Sequence, residues 1–480
     1  MRRMKNRVNE LLLSVATLWV AGCGKGVAPG SKLDAISESV PYRWSVSKAG
    51  QAGVDEGWVR RFGDKRLTVL VTEAVNASAS ISSASERVNR AVIVAKASRA
   101  PALPELSGGL NGSRNKQIFV GLPIPGTSGP LSSFSSTLGA SLDVNWEPDI
   151  WGRVAASQSA ELARLGAERN ALRAAQASLA GQVVKAWLAL GEANEQVKLT
   201  REAIEIRKKT EAAIEERFAS SLDEEGGTAG QLRLARTDTA NTEEVLEQWK
   251  AEVARAQRQL ELLAGRYPVG QAGSGVKLPK LLRKPPAGLP SQLLQRRPDV
   301  LEAERLFAAA SKDREVADLA RFPSFSITGS TGRTSNQLRD LLDSDFGVWS
   351  LGGDLLIPIL NGGSLSADFK QAESREREAL RSLQSTVLGA FGEVEQALVA
   401  DYFYDQRVAA AERALSEASE ADKASSRDFS EGVETVLTLL DARSQRIQIA
   451  SQVVTLRRQR LQNRVDLHLA LGGDFQVRTK

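Results

Sequence analysis

LPSQLLQRRPDVLEAERLFAAASKDREVADLARFPSFSITG, running from Leu289 to Gly329, lies just past the middle of the chain and decides how the rest is read. Pro298 suits the first turn of a helix, where its missing N–H leaves no bond unmade. Asp299 and Glu302 put negative charge at the positive end of the helix dipole. The Ala- and Leu-bearing register continues to Arg321, and Pro323 ends it. From Ser324 to Gly332 small polar and apolar residues alternate, which predicts a strand with two different faces. The first half of the chain has the same order of helix, proline and strand, so the sequence reads as an internal duplication.

Working outward, the sequence from Trp58 is helix-compatible and stops at Pro101 and Pro104. A weak strand signal spans Leu103–Leu110, and a polar, Gly-rich stretch, Asn111–Ser133, suits an external loop. From Phe134 to Trp146 the even positions hold Phe134, Leu138, Ala140, Leu142, Val144 and Trp146, and no odd position is apolar. Such a run is long enough to cross a bilayer as a tilted strand. Trp349, Leu351, Leu355 and Ile357 mark a matching face in the second half. Each strand pair ends at a proline, Pro148 or Pro358, and turns through Trp151-Gly152 or Gly362-Gly363 into a proline-free run. FASSLDEEGGTAG (218–230) and FSEGVETV (429–436) interrupt these runs, which predicts two helical hairpins. Arms of roughly 50–65 residues would reach roughly 90–100 Å at 1.5 Å per residue. Dense alanine, as in LARLGAERNALRAAQASLAGQVVKAW, lets such helices pack side by side. Aligning Pro148 with Pro358 leaves the two preceding strands one residue out of phase, which calls for a β-bulge.

The first 22 residues differ from the rest. Arg2, Arg3, Lys5 and Arg7 precede a short apolar run, Leu11–Ala21, in the pattern of a secretory signal. Val20-Ala21-Gly22-Cys23 resembles a bacterial lipobox, in which Cys23 is acylated and becomes the first residue. Removing residues 1–22 takes away four basic side chains and one acidic one, so the formal charge of +5 falls to about +2. A nucleic-acid partner is therefore not expected. Cys23 is the only cysteine and His468 the only histidine in the 480 residues, and both methionines lie in the signal. No metal site, cofactor or catalytic residue is expected from such a set. His468, on an apolar helix, reads as a core residue.

Four strands alone cannot form a membrane barrel. In hydrocarbon their two open edges would leave backbone groups unpaired, and bacterial barrels start at eight strands. At least two chains must share one barrel.

LPSQLLQRRPDVLEAE followed by ARFPSFSITGS closely resembles the signature of the outer membrane factors, the TolC-like lipoproteins of the NodT subgroup. Trp58, Phe62, Asp64, Leu67, Asn76 and Arg87 fit the family's N-terminal pattern, with Lys65 in place of the usual proline. Trp151-Gly152-Arg153 matches its step from barrel to helix. The resemblance implies a mainly α protein with a membrane β-barrel, carrying four strands and two long helical hairpins per chain. It implies a homotrimer with a shared 12-stranded barrel and an α-helical tunnel. Such a protein is the outer membrane channel of a tripartite efflux system and performs no enzymatic step. Its partners are outer membrane lipid, a periplasmic membrane-fusion adaptor and an inner-membrane RND-type transporter. The implied division is a signal (1–22), a lipid-anchored arm (23–57), a first repeat (58–267), a linker (268–288) and a second repeat (289–480). Within the repeats, strands are expected at about 103–146 and 324–357, helical hairpins at 149–265 and 364–472, and a helix at 298–321.

The resemblance also assigns site residues. Thr438-Leu439-Leu440-Asp441-Ala442 matches the segment whose carboxylates constrict the periplasmic entrance, so Asp441 and Thr438 are the candidate gate. Thr438 stands where TolC has an upstream aspartate. Phe429 and Glu434 replace the tyrosine and arginine that latch TolC. Gly432 and Val433, with Gly226 and Gly227 at the longer first tip, are the candidate adaptor contacts. The alternative reading is a lipid-anchored periplasmic coiled-coil adaptor or scaffold, for which the strands have no role.

Overall fold

A computed structural model describes residues 44–45, 57–119, 131–219, 229–280 and 290–475, all within the unit Tyr42–Lys480. Cys23, Gly226 and Gly227 lie outside the described residues. Helices α1 (Lys65–Ala77) and α2 (Ala79–Ala97) lead into strands β1 (Glu105–Phe119) and β2 (Leu131–Trp146), then helices α3 (Arg153–Ala219) and α4 (Ala229–Leu263). The second half gives α5 (Pro298–Leu319), β3 (Ser324–Ser335), β4 (Gly347–Leu356), α6 (Ser364–Ser430) and α7 (Val436–Ala470). The duplication is plain in the lengths. Both α3 and α6 have 67 residues, and both α4 and α7 have 35.

The return arms are thus shorter than the sequence suggests. Each stops at the same device, a glycine in the left-handed region just past the last turn. Gly265 N–H donates to Leu262 and Arg266 N–H to Glu261, and Gly472 and Gly473 donate to Leu469 and His468 in the same pattern. Those bonds satisfy carbonyls that the helix end would leave open.

The helices form one layer. α3 packs against α2, α4, α5 and α7, and α6 packs against α5 and α7. The two long helices run its full length. α2 gives way to α4 beside α3, and α5 gives way to α7 between α3 and α6, so four helices span the layer at either end. Gly181 permits one close approach, since a Cβ there would stand 2.6 Å from Leu469 Cδ1.

The main core lies where these exchanges occur. Trp58, Phe62 and Leu67 meet Val183, Val184, Trp187 and Leu188 of α3, Leu260 of α4, and Leu461 and Val465 of α7. Each such side chain contributes roughly 2 kcal/mol by leaving water. His468 is buried and stacked on Trp58 at 5.3 Å. Burial, and then the charges of Arg61 and Arg464, hold its pKa down at about 4. Glu261, also buried, accepts hydrogen bonds from Gly270, Gln271 and Ala272 N–H, which pin the start of the inter-repeat segment to α4.

The strands form one antiparallel sheet in the order β1-β2-β3-β4. One rung runs Glu105, Asn145, Thr328, Gly352, and the register continues from it without interruption. No bulge is needed for the phase difference between the halves. Val144 lies opposite Gly329 and Trp146 opposite Ile327, so even residues of β2 share a face with odd residues of β3, and β4 inherits the odd phase. The expected loop Asn111–Ser133 is also too long, because β1 continues to Phe119 and β2 begins at Leu131. Its alternation is hidden in the sequence. Outward positions there are Gly112, Arg114, Lys116 and Ile118, and the two cations sit 5.7 and 5.4 Å from the Phe134 ring.

Candidate transport conduit

The sheet has two chemically distinct faces. Leu106, Leu110, Leu142, Val144, Ile327, Leu351 and Leu355 occupy one, following the register. Ser107, Asn111, Ser141, Asp143, Asn145, Thr328, Ser330 and Asp354 occupy the other. The apolar face is unclothed, with Leu110 87%, Trp349 79% and Leu351 74% exposed. An apolar face that large is at home against lipid, and the hydroxyl- and amide-bearing face against water. Among the described residues no helix is long and apolar enough to cross a membrane.

At the base of the sheet two junctions turn strands into helices. In the first, Asp149 accepts from Val154 N–H (3.0 Å) and Ala155 N–H (2.8 Å), capping the orphan donors of α3. Gly152 supplies the left-handed turn after Pro148. Trp151 Nε1 donates to the Pro323 carbonyl at 2.6 Å, and its ring meets Phe322. The junction out of β2 is thereby fastened to the junction into β3. In the second, Gly362 and Gly363 after Pro358 both take positive φ, and Asn361 Oδ1 accepts from Gly363 N–H.

The far end of the layer is the α6–α7 tip. Gly432, at φ +78°, closes α6, and the neighbouring Val433 is 76% exposed. Thr435 caps α7 by accepting from Thr438 N–H. Thr438 and Asp441 fall on one exposed side of α7. The opposite side packs Leu440 and Ile447 onto Leu199, Ala203 and Ile206 of α3. Beside that cluster Arg446 bridges Glu202 of α3 and Asp422 of α6, and Arg443 also reaches Asp422 at 3.1 Å. Burial works against the Arg446 charge, but Glu202 and Asp422 outweigh it and raise its pKa. This network sits one to two turns from Asp441. Its partners lie on three separate helices, and no spacing in the sequence links them.

A family model described as "Outer membrane efflux protein" matches residues 70–266 and 289–473, covering both repeats and the sheet. The chain belongs to the outer membrane efflux protein family. Its relatives include the pyoverdine export outer membrane protein OpmQ of Pseudomonas aeruginosa, 30% identical over 98% of each chain. The cation efflux system protein CusC of Escherichia coli is 28% identical, with 97% of this chain and 99% of that one covered. Among solved structures, the open-state MtrE outer membrane channel of Neisseria gonorrhoeae aligns at a TM-score of 0.80 with 26% identity, covering 91% and 96% of the chains. This outer membrane efflux protein is thus a channel of tripartite pumps, with the mainly helical TolC-like fold. The adaptor or scaffold reading falls away, since the family match takes in the four strands as well as both helical hairpins.

Proposed function

We propose that three copies of the chain close the four-stranded sheets into one barrel and the four-helix layers into one tunnel. Cys23 anchors each copy to the outer membrane through its acyl chains. The observation that carries this reading is the two-faced sheet, whose β1 and β4 edges have no strand partner among the described residues. Lipid covers its apolar face, neighbouring copies satisfy its edges, and the polar face lines a water-filled bore. The helices then extend into the periplasm, with the α6–α7 tip at the entrance.

At that entrance Asp441 and Thr438 of the three copies ring the bore and favour cations. The Gly432-Val433 turn, with Gly226-Gly227 at the other tip, receives a periplasmic adaptor that hands over cargo from an RND-type transporter. Small molecules then pass without any bond being made or broken. Relatives at nearly equal identity are a pyoverdine export protein and a cation efflux protein. The bore is therefore a common path, and the transporter selects the cargo. Reconstitution in planar bilayers tests the reading. Purified protein should give discrete ionic conductance steps, and a silent bilayer loaded with folded protein would contradict it.

A further inference from the structure

Resting on the shared-barrel reading, we infer that β4 of one copy pairs with β1 of the next in one register, with Leu356 opposite Glu105. Leu351 then faces Leu110, and Trp349 faces Gly112.

Direction and parity come first. β1 leaves the helical base and β4 returns to it, so the two edges meet antiparallel. On the apolar face of the sheet, Leu106 and Leu110 of β1 are even-numbered and Trp349, Leu351 and Leu355 of β4 are odd-numbered. Only a pairing of even β1 residues with odd β4 residues keeps both apolar sets against lipid. A one-residue slip would bury one of the two sets in the bore.

Tilt then limits the shift. Glu105 is level with Gly352, and β4 continues four residues deeper, to Leu356. The base of the sheet thus steps down from β1 to β4. For strands tilted by about 35–45°, spaced about 4.8 Å apart and rising about 3.3 Å per residue, four strand steps shift the register by roughly four to six residues. Parity allows only the even values. A shift of four brings the last residue of β4 level with the first residue of β1 and pairs the whole of β4. It keeps Pro358, which has no N–H to donate, outside the ladder.

The side chains fit this register. Leu355 would face Leu106, and Leu351 would face Leu110, two aliphatic pairs on the lipid side. Gly353 would face Gly108. The indole of Trp349 would lie over Gly112, covering backbone that glycine leaves bare. The seam is thus a fourth strand interface of the same kind as the three within the chain, supplied by a second copy.

Cysteine cross-linking tests the register. Directly opposite residues in an antiparallel pair bring their Cα atoms within disulfide range, whereas neighbours two residues along do not. The double variant Leu110→Cys/Leu351→Cys, expressed as the full chain and oxidised in outer membranes, should convert most of the protein to boiling-resistant covalent dimers and trimers. Reductant should release them, and neither single variant should form them. Efficient cross-linking by Leu110→Cys/Gly353→Cys instead would overturn the shift, and by Leu110→Cys/Gly352→Cys the parity. A heat-sensitive trimer that never cross-links at Leu351 would sink this seam and leave the shared barrel standing. Absence of any trimer would sink the shared barrel itself.

Discussion

The guanidinium of Arg297 lies 2.6 Å from the Glu393 carboxylate, and this contact sits where α5 takes over from α7 in the helical layer. Arg297 also grips Asp299 with two donors, at 2.9 and 2.6 Å, and donates to the Ala470 carbonyl at the end of α7. One side chain thus ties the start of α5, the middle of α6 and the end of α7. Burial opposes the Arg297 charge, and its two carboxylate partners more than restore it. Removing the guanidinium strands Asp299 in a half-buried site. Arg297→Ala should cost roughly 3 kcal/mol of stability, and Arg297→Lys should recover only part of it because the fork is lost. Thermal unfolding of the purified channel checks this. Two variants as stable as the wild type would refute the tie.

His468 makes stability depend on pH. Its folded pKa is about 4, below the ordinary value of 6.5, so the unfolded chain binds the extra proton between these values. Stability is fully present above about pH 6.5 and falls as pH drops toward 4, by up to about 3 kcal/mol. Replacing His468 with Phe, which keeps a ring against Trp58, should flatten this dependence. Melting curves between pH 7 and pH 4.5 read it directly, and identical slopes for both proteins would exclude His468 as the source.

At the tip, Arg446→Ala would cut the bridge from α7 to both Glu202 and Asp422. The segment bearing Asp441 would then be held by the Leu440 and Ile447 packing and by the Arg443–Asp422 contact. Single-channel conductance should rise, with more frequent open events, while the heat stability of the oligomer stays near wild type. Unchanged conductance would mean that the tip is fixed without Arg446.

If Asp441 rings the entrance as proposed, Asp441→Asn should leave conductance size similar and reduce cation preference, since three carboxylates would be lost together. The reversal potential under a salt gradient reports it. A wild-type reversal potential in the variant would place the selectivity elsewhere.

Much of this architecture was legible in local sequence. Pro298 starts α5 as expected, and the helix ends at Leu319, two residues before Arg321. The alternation from Phe134 to Trp146 marks a strand because six of the seven positions on one face are apolar. β1 was harder to read, since Gly108, Gly112, Arg114 and Lys116 interrupt its outer row of Leu106, Leu110 and Ile118, and the two cations make sense only beside Phe134. The duplication was visible in the prolines, but the phase between repeats was not. Phase is set by which residue of β3 meets Trp146, a contact across the whole first hairpin. The dipole reading of Glu302 was incomplete. Burial, then the nearby Glu168 and Asp299, raise its pKa, so its surroundings disfavour the charge. The Arg297 and Arg446 ties escaped the sequence for one reason. Each joins helices that are far apart in the chain, and nothing local distinguishes those arginines from the other basic residues.

The shared barrel is tested most directly by running the purified outer membrane fraction in mild detergent, unboiled beside boiled. Three chains closing one barrel predict a band near three times the 51.7 kDa chain, less the signal, that collapses to the monomer on boiling. A monomer in both lanes, or a soluble periplasmic product, would contradict the account.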